Sequence, residues 1–329
     1  MCPAEKDPMP KLVMLPPIPD QARDWAQRIA DALPVYDVVS AADDAAARRE
    51  IPDADAAYGT VLPDLLPLAK KLRWLQIPLA GPKKGFYYPE LIAHPVEICN
   101  PRGVYNDHIS QHIMMFVLSL ARGLPYHMDA QREAQWDKNA AQSRYIELKE
   151  ATALIVGVGG IGHETARLCN SFGMRVLGTD TRWEYPVPNV ERHAPEALDG
   201  LLPQADFVIV TVPHTPPTEG MWNTARFSLM KPDTYFINIG RGATTKLDDL
   251  VDALENRIIA GCALDVFEEE PLPPGHRLWR LPNVILTPHV AIHRAENLFE
   301  RWFELFLDNA HRFAAGEQLR NVVDKSMWY

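Results

Sequence analysis

No stretch of this 329-residue chain is apolar for the ~18 residues that a membrane-spanning helix needs. The first residues of the sequence contain no apolar segment of the length found in secretory signal peptides. Cysteine is scarce, and its four widely spaced copies form no C-x-x-C pair, which argues against a zinc site or a disulfide framework. We therefore expect a cytoplasmic protein with reduced cysteines and without a membrane partner.

Positive charge is in deficit, because 33 Lys and Arg residues face 43 Asp and Glu residues and leave a net charge of -10. This balance argues against nucleic acids and anionic membranes as partners. Internal repeats and low-complexity segments are also missing from the sequence. The length is sufficient for two domains with cores of their own, so we expect two domains.

The most informative segment that is present runs from Ala151 to Gly162. Its apolar residues 154–156 stop at a G-x-G-x-x-G motif formed by Gly157, Gly159 and Gly162. In this motif the first glycine permits a tight turn, the second lets backbone approach a diphosphate, and the third lets a helix pack on the strand. The start of that helix offers NH groups and a positive dipole end to phosphate. The pattern predicts a dinucleotide-binding turn.

An acidic residue follows this motif at a suitable distance. A second strand is predicted at residues 175–178, and Asp180 comes soon after it, close to the spacing of about 20 residues at which a carboxylate meets the adenosine ribose. Asp180 would repel a 2′-phosphate, so NAD is the expected cofactor. Arg182 keeps NADP open as an alternative, although it is equally consistent with a solvated surface charge.

Short apolar runs alternate with helical patterns before residue 100 and again between residues 205 and 286, which predicts parallel α/β sheets. A helix predicted at residues 107–122 is apolar on nearly every face. We expect it to be capped by Asn106 or Asp107 and buried between two domains. Its His108 and His112 have a spacing that suits a metal, but packing is the preferred interpretation because no third ligand is in register.

Three side chains with useful chemistry stand where strands are predicted to end, namely Arg241, Glu270 and His289. A guanidinium can bind a carboxylate through two hydrogen bonds. A histidine can donate a proton to a carbonyl or remove one from an alcohol near neutral pH, and a carboxylate can orient its ring. Each residue alone also fits a structural role, as an ion-pair partner, a solvated acid or a capping group.

Taken together, the motifs resemble those of the D-isomer-specific 2-hydroxyacid dehydrogenases over nearly the whole chain. The matching segments are Leu79-Ala-Gly81, Gly157-Val-Gly-Gly-Ile-Gly162, Val212-Pro-His-Thr-Pro-Pro-Thr218, Asn238-Ile-Gly-Arg-Gly242, Leu264-Asp-Val-Phe267, Glu270-Pro-Leu-Pro273 and Thr287-Pro-His289. The resemblance implies an α/β fold with two Rossmann-like or flavodoxin-like domains, each a doubly wound parallel sheet, and a cleft between them. It implies a discontinuous substrate domain of residues 1–118 and 292–329, an NAD-binding Rossmann domain of residues 119–291, and a homodimer.

The resemblance also implies residue roles. Arg241 would hold the substrate carboxylate, His289 would act as acid and base, and Glu270 would pair with His289 while hydride passes between nicotinamide and substrate. Asp265 would face the nicotinamide carboxamide. The implied cofactor contacts are Gly157, Gly159, Gly160, Ile161, Gly162, Asp180, Arg182, Val212, Pro213, His214, Thr218, Ile239, Gly240, Asp265 and Ala291. The implied substrate contacts are Leu79, Ala80, Gly81, Lys84, Asn100 and Arg241.

Some features depart from the family pattern. Pro82 removes a possible NH donor beside the substrate loop, Gln111 replaces a common Glu, and His293 is either a cleft residue or, preferably, a surface histidine. Lys83 and Lys84 suggest phosphite or a phosphorylated hydroxy acid as an alternative substrate, or serve only solubility.

Two further alternatives remain beside these. Formate is disfavoured because the formate dehydrogenases of the family carry Gln where Glu270 stands. A corepressor that senses NAD(H) would keep the same motifs, but the chain has no basic or disordered extension to support that role. The leading hypothesis is NAD(H)-dependent interconversion of a small 2-oxo acid and its D-2-hydroxy acid, as in glyoxylate and hydroxypyruvate reductases.

Overall fold

Residues 9–81, 85–139, 145–184, 186, 188–295 and 297–329 are described by the computed structural model of the chain. The chain divides into one unit of Met1–Val104 with Glu296–Tyr329 and a second unit of Tyr105–Ala295. The sequence-based boundaries after residues 118 and 291 differ from this division. The boundary after residue 118 falls inside the helix predicted at residues 107–122, whereas the observed division places that whole segment in the second unit.

A five-stranded parallel sheet forms the centre of the described part of the first unit. Its elements in chain order are β1 (Lys11–Met14), α1 (Trp25–Ala32), β2 (Asp37–Ser40), α2 (Asp44–Glu50), β3 (Ala56–Tyr58), β4 (Trp74–Gln76), α3 (Pro89–Ala93) and β5 (Glu97–Cys99). The strand order β2-β1-β3-β4-β5 is that of flavodoxin-like folds. Val13 pairs with Val39 on one side and with Ala57 on the other.

The apolar residues of β1 supply both faces of this sheet. Leu12 and Met14 belong to one buried cluster, while Val13 and Leu15 belong to another. Successive side chains of a strand point to opposite faces, so one short strand surrounded by helices contributes to two cores. This explains why the run Leu12–Leu15 is apolar throughout instead of alternating with polar residues.

A seven-stranded parallel sheet forms the centre of the described part of the second unit. Its elements are α4 (Asn106–Ala121), α5 (Leu124–Arg132), β6 (Thr152–Val156), α6 (Gly160–Ser171), β7 (Arg175–Thr179), β8 (Val190–His193), α7 (Leu198–Leu201), β9 (Phe207–Val210), α8 (Thr224–Phe227), β10 (Tyr235–Asn238), α9 (Leu247–Glu255), β11 (Gly261–Leu264) and β12 (Val284–Leu286).

The order of these strands is β12-β11-β10-β9-β6-β7-β8. The chain therefore proceeds outward from β6 in one direction, returns to β9 on the other side of β6, and proceeds outward again. This is the Rossmann order, and ligands of such sheets bind outside the carboxyl ends of the strands near the reversal between β6 and β9. The two sheets confirm the predicted α/β class with doubly wound parallel sheets.

The chain returns to the first unit through α10 (Leu298–Ala315), which starts three residues later than the sequence indicated. Phe306 lies on the same buried cluster as Trp25, Tyr58 and Trp74, with ring centroids 6.2, 5.0 and 5.7 Å away. Gly316 ends the helix with a left-handed φ of 68°. The aromatic side of the helix thus completes the core of the first unit.

Two expectations for α4 are wrong. Its N-cap residue is Tyr105, which makes no side-chain cap hydrogen bond, so neither Asn106 nor Asp107 caps it. The helix is not buried on every side, because Met115 and Leu118 are exposed. Its buried side packs against α6, with Met114 Sδ 3.9 Å from Cys169 Sγ. Because the helix sequence is apolar on nearly every side, the sequence did not show which side faces solvent.

The edge strand β8 escaped sequence analysis. Its residues, Val190-Glu-Arg-His193, carry two exposed charged side chains and no apolar run. Only one side of β8 pairs with another strand of the described sheet, and charges on such an edge discourage further pairing. A charged edge strand lacks the short apolar run from which the central strands were predicted.

Three general expectations concern membranes, metals and cysteines. Among the described helices, none combines the length and hydropathy needed to span a bilayer. Within the described residues, no group of three His, Cys, Asp or Glu side chains is placed to hold a metal ion. Cys99, Cys169 and Cys262 are buried free thiols, as expected, and Cys2 lies outside the described residues.

Candidate active site

The turn between β6 and α6 depends on two glycines. Gly157 has a φ of 97°, which strains residues with a side chain, and its NH donates to the carbonyl of Thr179 at 2.9 Å. A Cβ placed on Gly162 would lie 2.1 Å from the carbonyl oxygen of Gly157. The first glycine therefore allows the turn, and the second allows the helix to approach the strand closely.

The other two glycines of the turn lie at the start of α6. Gly159 is its N-cap and offers no side chain to the first helical NH groups, and a Cβ there would meet nothing within 4 Å. A Cβ on Gly160 would instead lie 2.5 Å from Nδ2 of Asn106, a contact that no local sequence signal indicated. Open space before a helix N-terminus fits the diphosphate of a dinucleotide, because NH groups and the helix dipole attract anions.

Asp180 lies beside this turn, directly after β7. Its Oδ1 accepts the NH of Arg182 at 2.8 Å, and the NH groups of Val158 and Thr181 also bond its carboxylate. Burial raises the pKa of Asp180, while these NH groups lower it by a smaller amount. Since Val158 belongs to the glycine turn, the carboxylate is held at the turn itself. Arg182 is exposed.

The loop after β9 joins the same edge of the sheet. The Thr211 hydroxyl donates to the carbonyl of Gly157 at 2.5 Å, which fixes the start of the loop against the glycine turn. Thr218 Oγ1 accepts the NH of Thr215 at 2.8 Å and donates to the carbonyl of Pro213 at 2.7 Å. The hydroxyl of Thr218, which was expected to contact the cofactor, therefore makes hydrogen bonds within its own loop.

Other predicted cofactor contacts in this region have similar internal partners. The His214 side chain is largely buried, with Nε2 3.4 Å from the Glu219 carboxylate. Ile239 is buried after β10, and the NH of Gly240 donates to Oδ1 of Asn238 at 3.0 Å. These bonds shape the loops at the carboxyl ends of β9 and β10.

Arg241 comes three residues after the end of β10, as the sequence predicted for a residue that follows a strand, and its backbone is extended. Asn238 is fully buried, and its Nδ2 donates to the carbonyl of Arg241 at 3.2 Å, while the Thr244 hydroxyl donates to the same carbonyl at 2.7 Å. Burial lowers the pKa of the Arg241 guanidinium, whereas Tyr105 and Glu270 act in the opposite direction. The Glu270 carboxylate is thus near enough to interact with the guanidinium electrostatically.

A close backbone approach brings the Arg241 loop to the loop that carries Glu270. A Cβ on Gly242 would lie 1.8 Å from the carbonyl oxygen of Phe267, so only glycine fits there. Glu270 then uses both carboxylate oxygens, because Oε1 accepts the NH of Phe267 at 3.1 Å and Oε2 lies 2.9 Å from Nδ1 of His289. The loops that carry the three residues predicted from separate strand ends therefore lie next to one another, and Glu270 contacts His289 directly.

The Glu270 bond determines which nitrogen of His289 is available for chemistry. A carboxylate only accepts hydrogen bonds, so Nδ1 carries the proton that is donated to Glu270. Nε2 is then the ring nitrogen that can exchange a proton with a substrate. The His289 side chain is half exposed. Among the described residues no hydrogen bond to Nε2 of His289 is seen, and a guanidinium, such an imidazole and its carboxylate partner form a set that can bind a carboxylate and transfer a proton.

Asp265 is almost fully buried, directly after β11. Its Oδ1 accepts the Thr287 hydroxyl at 2.5 Å and the NH of Val290 at 2.9 Å, and its Oδ2 accepts the NH of Ala291 at 3.1 Å. Three donors from its own unit thus surround the carboxylate that was expected to face the nicotinamide carboxamide. Sequence patterns did not indicate the contacts with Thr287 and Val290.

The predicted substrate loop belongs to the first unit. Asn100 is buried, its Nδ2 donates to the carbonyl of Ala80 at 3.1 Å, and its Oδ1 accepts the NH of Arg102 at 3.2 Å. Asn100 therefore supports the loop of Leu79 to Gly81 by bonds to backbone. Leu79 itself is about half exposed.

The remaining predictions concern the residues that depart from the family pattern. Pro82, Lys83 and Lys84 lie outside the described residues. His293 is exposed, and its NH donates to the carbonyl of Val290 at 2.8 Å; its assignment as a surface histidine stays a prediction.

A doubly wound sheet with this glycine turn, together with an Arg, Glu and His set at its carboxyl edge, defines a nucleotide-dependent oxidoreductase. Residues 114–291 match the model of the D-isomer specific 2-hydroxyacid dehydrogenase NAD binding domain. The chain belongs to the D-isomer specific 2-hydroxyacid dehydrogenase family.

Similar proteins are named as reductases and dehydrogenases. A glyoxylate reductase of Thermofilum pendens is 36% identical over 245 residues, which cover 73% of this chain and 71% of that protein. An NADPH-dependent glyoxylate/hydroxypyruvate reductase from Sinorhizobium meliloti, solved with NADP and sulfate, has a TM-score of 0.80 at 29% identity and covers 97% of this chain and 99% of its own. A D-isomer specific 2-hydroxyacid dehydrogenase from Xanthobacter autotrophicus Py2, solved with NADPH and MES, has a TM-score of 0.80 at 27% identity, with 98% and 100% covered. This chain is therefore an oxidoreductase with an NAD(P)-binding domain.

Proposed function

We propose that this protein is an NAD(H)-dependent reductase that interconverts a small 2-oxo acid, such as glyoxylate or hydroxypyruvate, with its D-2-hydroxy acid. The observation that supports this proposal is the contact chain from Gly242 through Phe267 and Glu270 to His289, which joins the loop after Arg241 to the His289 imidazole. The relatives named glyoxylate reductase support the substrate class.

Each of the three residues at this edge would have a separate role in the reaction. Arg241 binds the substrate carboxylate, which places the neighbouring carbonyl group. Nε2 of His289 donates a proton to the carbonyl oxygen during reduction and removes it during oxidation. Glu270 holds the ring through Nδ1 and stabilises its positive charge. A bound nicotinamide supplies or accepts the hydride.

The cofactor proposal rests on the glycine turn and Asp180. The NH groups at the start of α6 would hold the diphosphate. The Asp180 carboxylate, held by the NH groups of Arg182 and Val158, would bind ribose hydroxyls and repel a 2′-phosphate. NADP remains the competing cofactor, because the Sinorhizobium and Xanthobacter structures contain NADP and NADPH.

Initial rates with a panel of 2-oxo acids, each with NADH and with NADPH, test the proposal. We expect reduction of glyoxylate or hydroxypyruvate with a higher kcat/KM for NADH than for NADPH. Consumption of neither coenzyme with any 2-oxo acid would refute the proposed activity. A preference for NADPH would refute only the role given to Asp180.

We also propose a homodimer formed through α4 and α5. Apolar side chains along these helices and the segment after them are exposed, namely Met115, Leu118, Leu124, Met128 and Trp136. Trp136 is 93% exposed, an unusual environment for the largest apolar side chain. Light scattering after gel filtration should give twice the chain mass for wild-type protein and for a Leu62→Glu control, and the monomer mass for Met115→Glu. A monomeric wild-type protein would refute the dimer. A cytoplasmic location remains a prediction.

A further inference from the structure

The backbone at His289 adopts a conformation that is uncommon for residues other than glycine. Its φ is 53°, in the left-handed region, within the loop that follows β12. The NH of His289 donates to the carbonyl of Thr287 at 3.0 Å, but this bond lies within the loop and does not attach the loop to the sheet. Left-handed residues other than glycine persist where surrounding contacts impose them. The position of the His289 ring therefore depends on whatever fixes this loop.

The Asp265 carboxylate holds the loop on both sides of His289. It accepts the hydroxyl of Thr287, two residues before His289, and the NH groups of Val290 and Ala291, directly after it. Because Asp265 follows a central strand and is almost fully buried, these bonds fix the loop to the rigid sheet.

His112 supports this arrangement from α4. Its Nε2 lies 3.0 Å from Thr287 Oγ1 and 3.7 Å from Asp265 Oδ1. The Thr287 hydroxyl has one proton, and a carboxylate can only accept, so that proton goes to Asp265. The remaining bond to Thr287 must come from His112, which therefore carries a proton on Nε2. The ring packs edge-on against Phe116, with centroids 4.7 Å apart and planes at 84°.

The charge state of His112 is consistent with this assignment. Burial lowers the pKa of His112, and the nearby Asp265 carboxylate opposes that effect. A neutral imidazole with its proton on Nε2 donates to Thr287 and leaves Asp265 as the only charge in the chain of bonds. Metal binding through Nε2 of His112 would require loss of its bond to Thr287.

We propose that His112 is a positioning residue for proton transfer, which acts through Thr287 and Asp265 to hold the His289 loop in its left-handed conformation. The inference rests on the proposed function of His289. Loss of the His112–Thr287–Asp265 bonds should let the loop relax, so that the imidazole is aligned with substrate for a smaller fraction of the time. Dinucleotide binding at the glycine turn and Asp180 should be retained, since those residues follow other strands.

Two variants of Thr287 test the proposal. Thr287→Val keeps the shape of the side chain and removes the hydroxyl, while Thr287→Ser keeps the hydroxyl. A misplacement of about 1 Å at a reacting group can lower the rate by roughly 10²-fold, so we expect kcat of Thr287→Val to fall by about 10- to 100-fold. We expect Thr287→Ser to recover most of the wild-type kcat. The dissociation constant for NADH, measured by fluorescence titration, should change much less than kcat in both variants, because the diphosphate and ribose contacts lie on other loops.

A double-mutant cycle tests the link to His112. His112→Leu should lower kcat, and its combination with Thr287→Val should lower kcat little beyond the single variants, because both remove the same chain of bonds. A wild-type kcat for folded Thr287→Val, or equal losses for Thr287→Val and Thr287→Ser, would overturn the proposal. If Thr287→Val does not fold, a kcat that His112→Leu leaves unchanged, both in the wild-type and in the Thr287→Ser background, would overturn it. Failure of the proposed function itself is distinct, since wild-type protein would then reduce no 2-oxo acid.

Discussion

Replacement of Glu270 by Gln should lower the rate of 2-oxo acid reduction by about tenfold. The carboxylate accepts two hydrogen bonds, from the NH of Phe267 at 3.1 Å and from Nδ1 of His289 at 2.9 Å, through different oxygens. The amide of Gln has a single acceptor oxygen, so it can serve only one of these donors. If Phe267 retains the oxygen, an NH₂ group faces His289 and cannot stabilise a positively charged ring.

The size of the effect follows from the lost bond. A hydrogen bond to a charged group contributes about 1.5–3 kcal/mol. The side chains of His289 and Glu270 are 50% and 38% exposed, so solvent screening favours the lower end of this range. About 1.4 kcal/mol in transition-state stabilisation corresponds to a tenfold change in rate.

Steady-state kinetics at saturating NADH provide the assay. Glu269→Gln removes the same charge from the exposed neighbouring residue and serves as the control, with a wild-type rate expected. Fluorescence titration should give an unchanged NADH affinity for Glu270→Gln. A Glu270→Gln enzyme that turns over like wild type would refute the reasoning, and so would an equal loss in the control.

Further predictions concern the cofactor turn. Gly162→Ala should destabilise the fold by about 1–3 kcal/mol, since its Cβ would lie 2.1 Å from a backbone oxygen, whereas Gly159→Ala should leave the apo-protein unchanged and weaken NADH binding. Urea denaturation and NADH titration separate these effects, and equal stability of the two variants would contradict the account. The pKa of Asp180 is raised in the folded protein, so the folded protein binds a proton more readily than the unfolded chain. The free energy of unfolding therefore falls as pH rises from the pKa of an ordinary Asp through the raised pKa of Asp180, and the ionised carboxylate destabilises the fold above that range. Asp180→Asn should therefore raise the Tm of the apo-protein at pH 7 and weaken NADH more than NADPH; a lower Tm with unchanged NADH affinity would contradict both roles.

Local patterns predicted the central strands, the glycine turn and the residues at strand ends, because each leaves a signal within a few neighbouring positions. Apolar residues 154–156 followed by Gly157 are one such signal, and Arg241 after the strand at 235–238 is another. Strand bounds were less exact: the strand predicted at residues 175–178 extends to Thr179, whereas the buried Ile239 lies beyond the end of β10.

Other features depend on contacts between distant positions. His112 and Thr287 are 175 residues apart, and Gly160 is required to be small by Asn106, which precedes it by more than fifty positions. No local pattern contains such pairs. The donors around Asp265 were missed for the same reason, since they come from the loop after a different strand.

The most direct test of the central claim is the turnover of Arg241→Ala with glyoxylate or hydroxypyruvate, measured on the same preparation as its NADH affinity. We predict a roughly 10²- to 10³-fold loss of turnover, because a partly buried guanidinium that pairs with the substrate carboxylate is removed, together with wild-type NADH binding. Turnover close to that of wild-type protein would contradict the account.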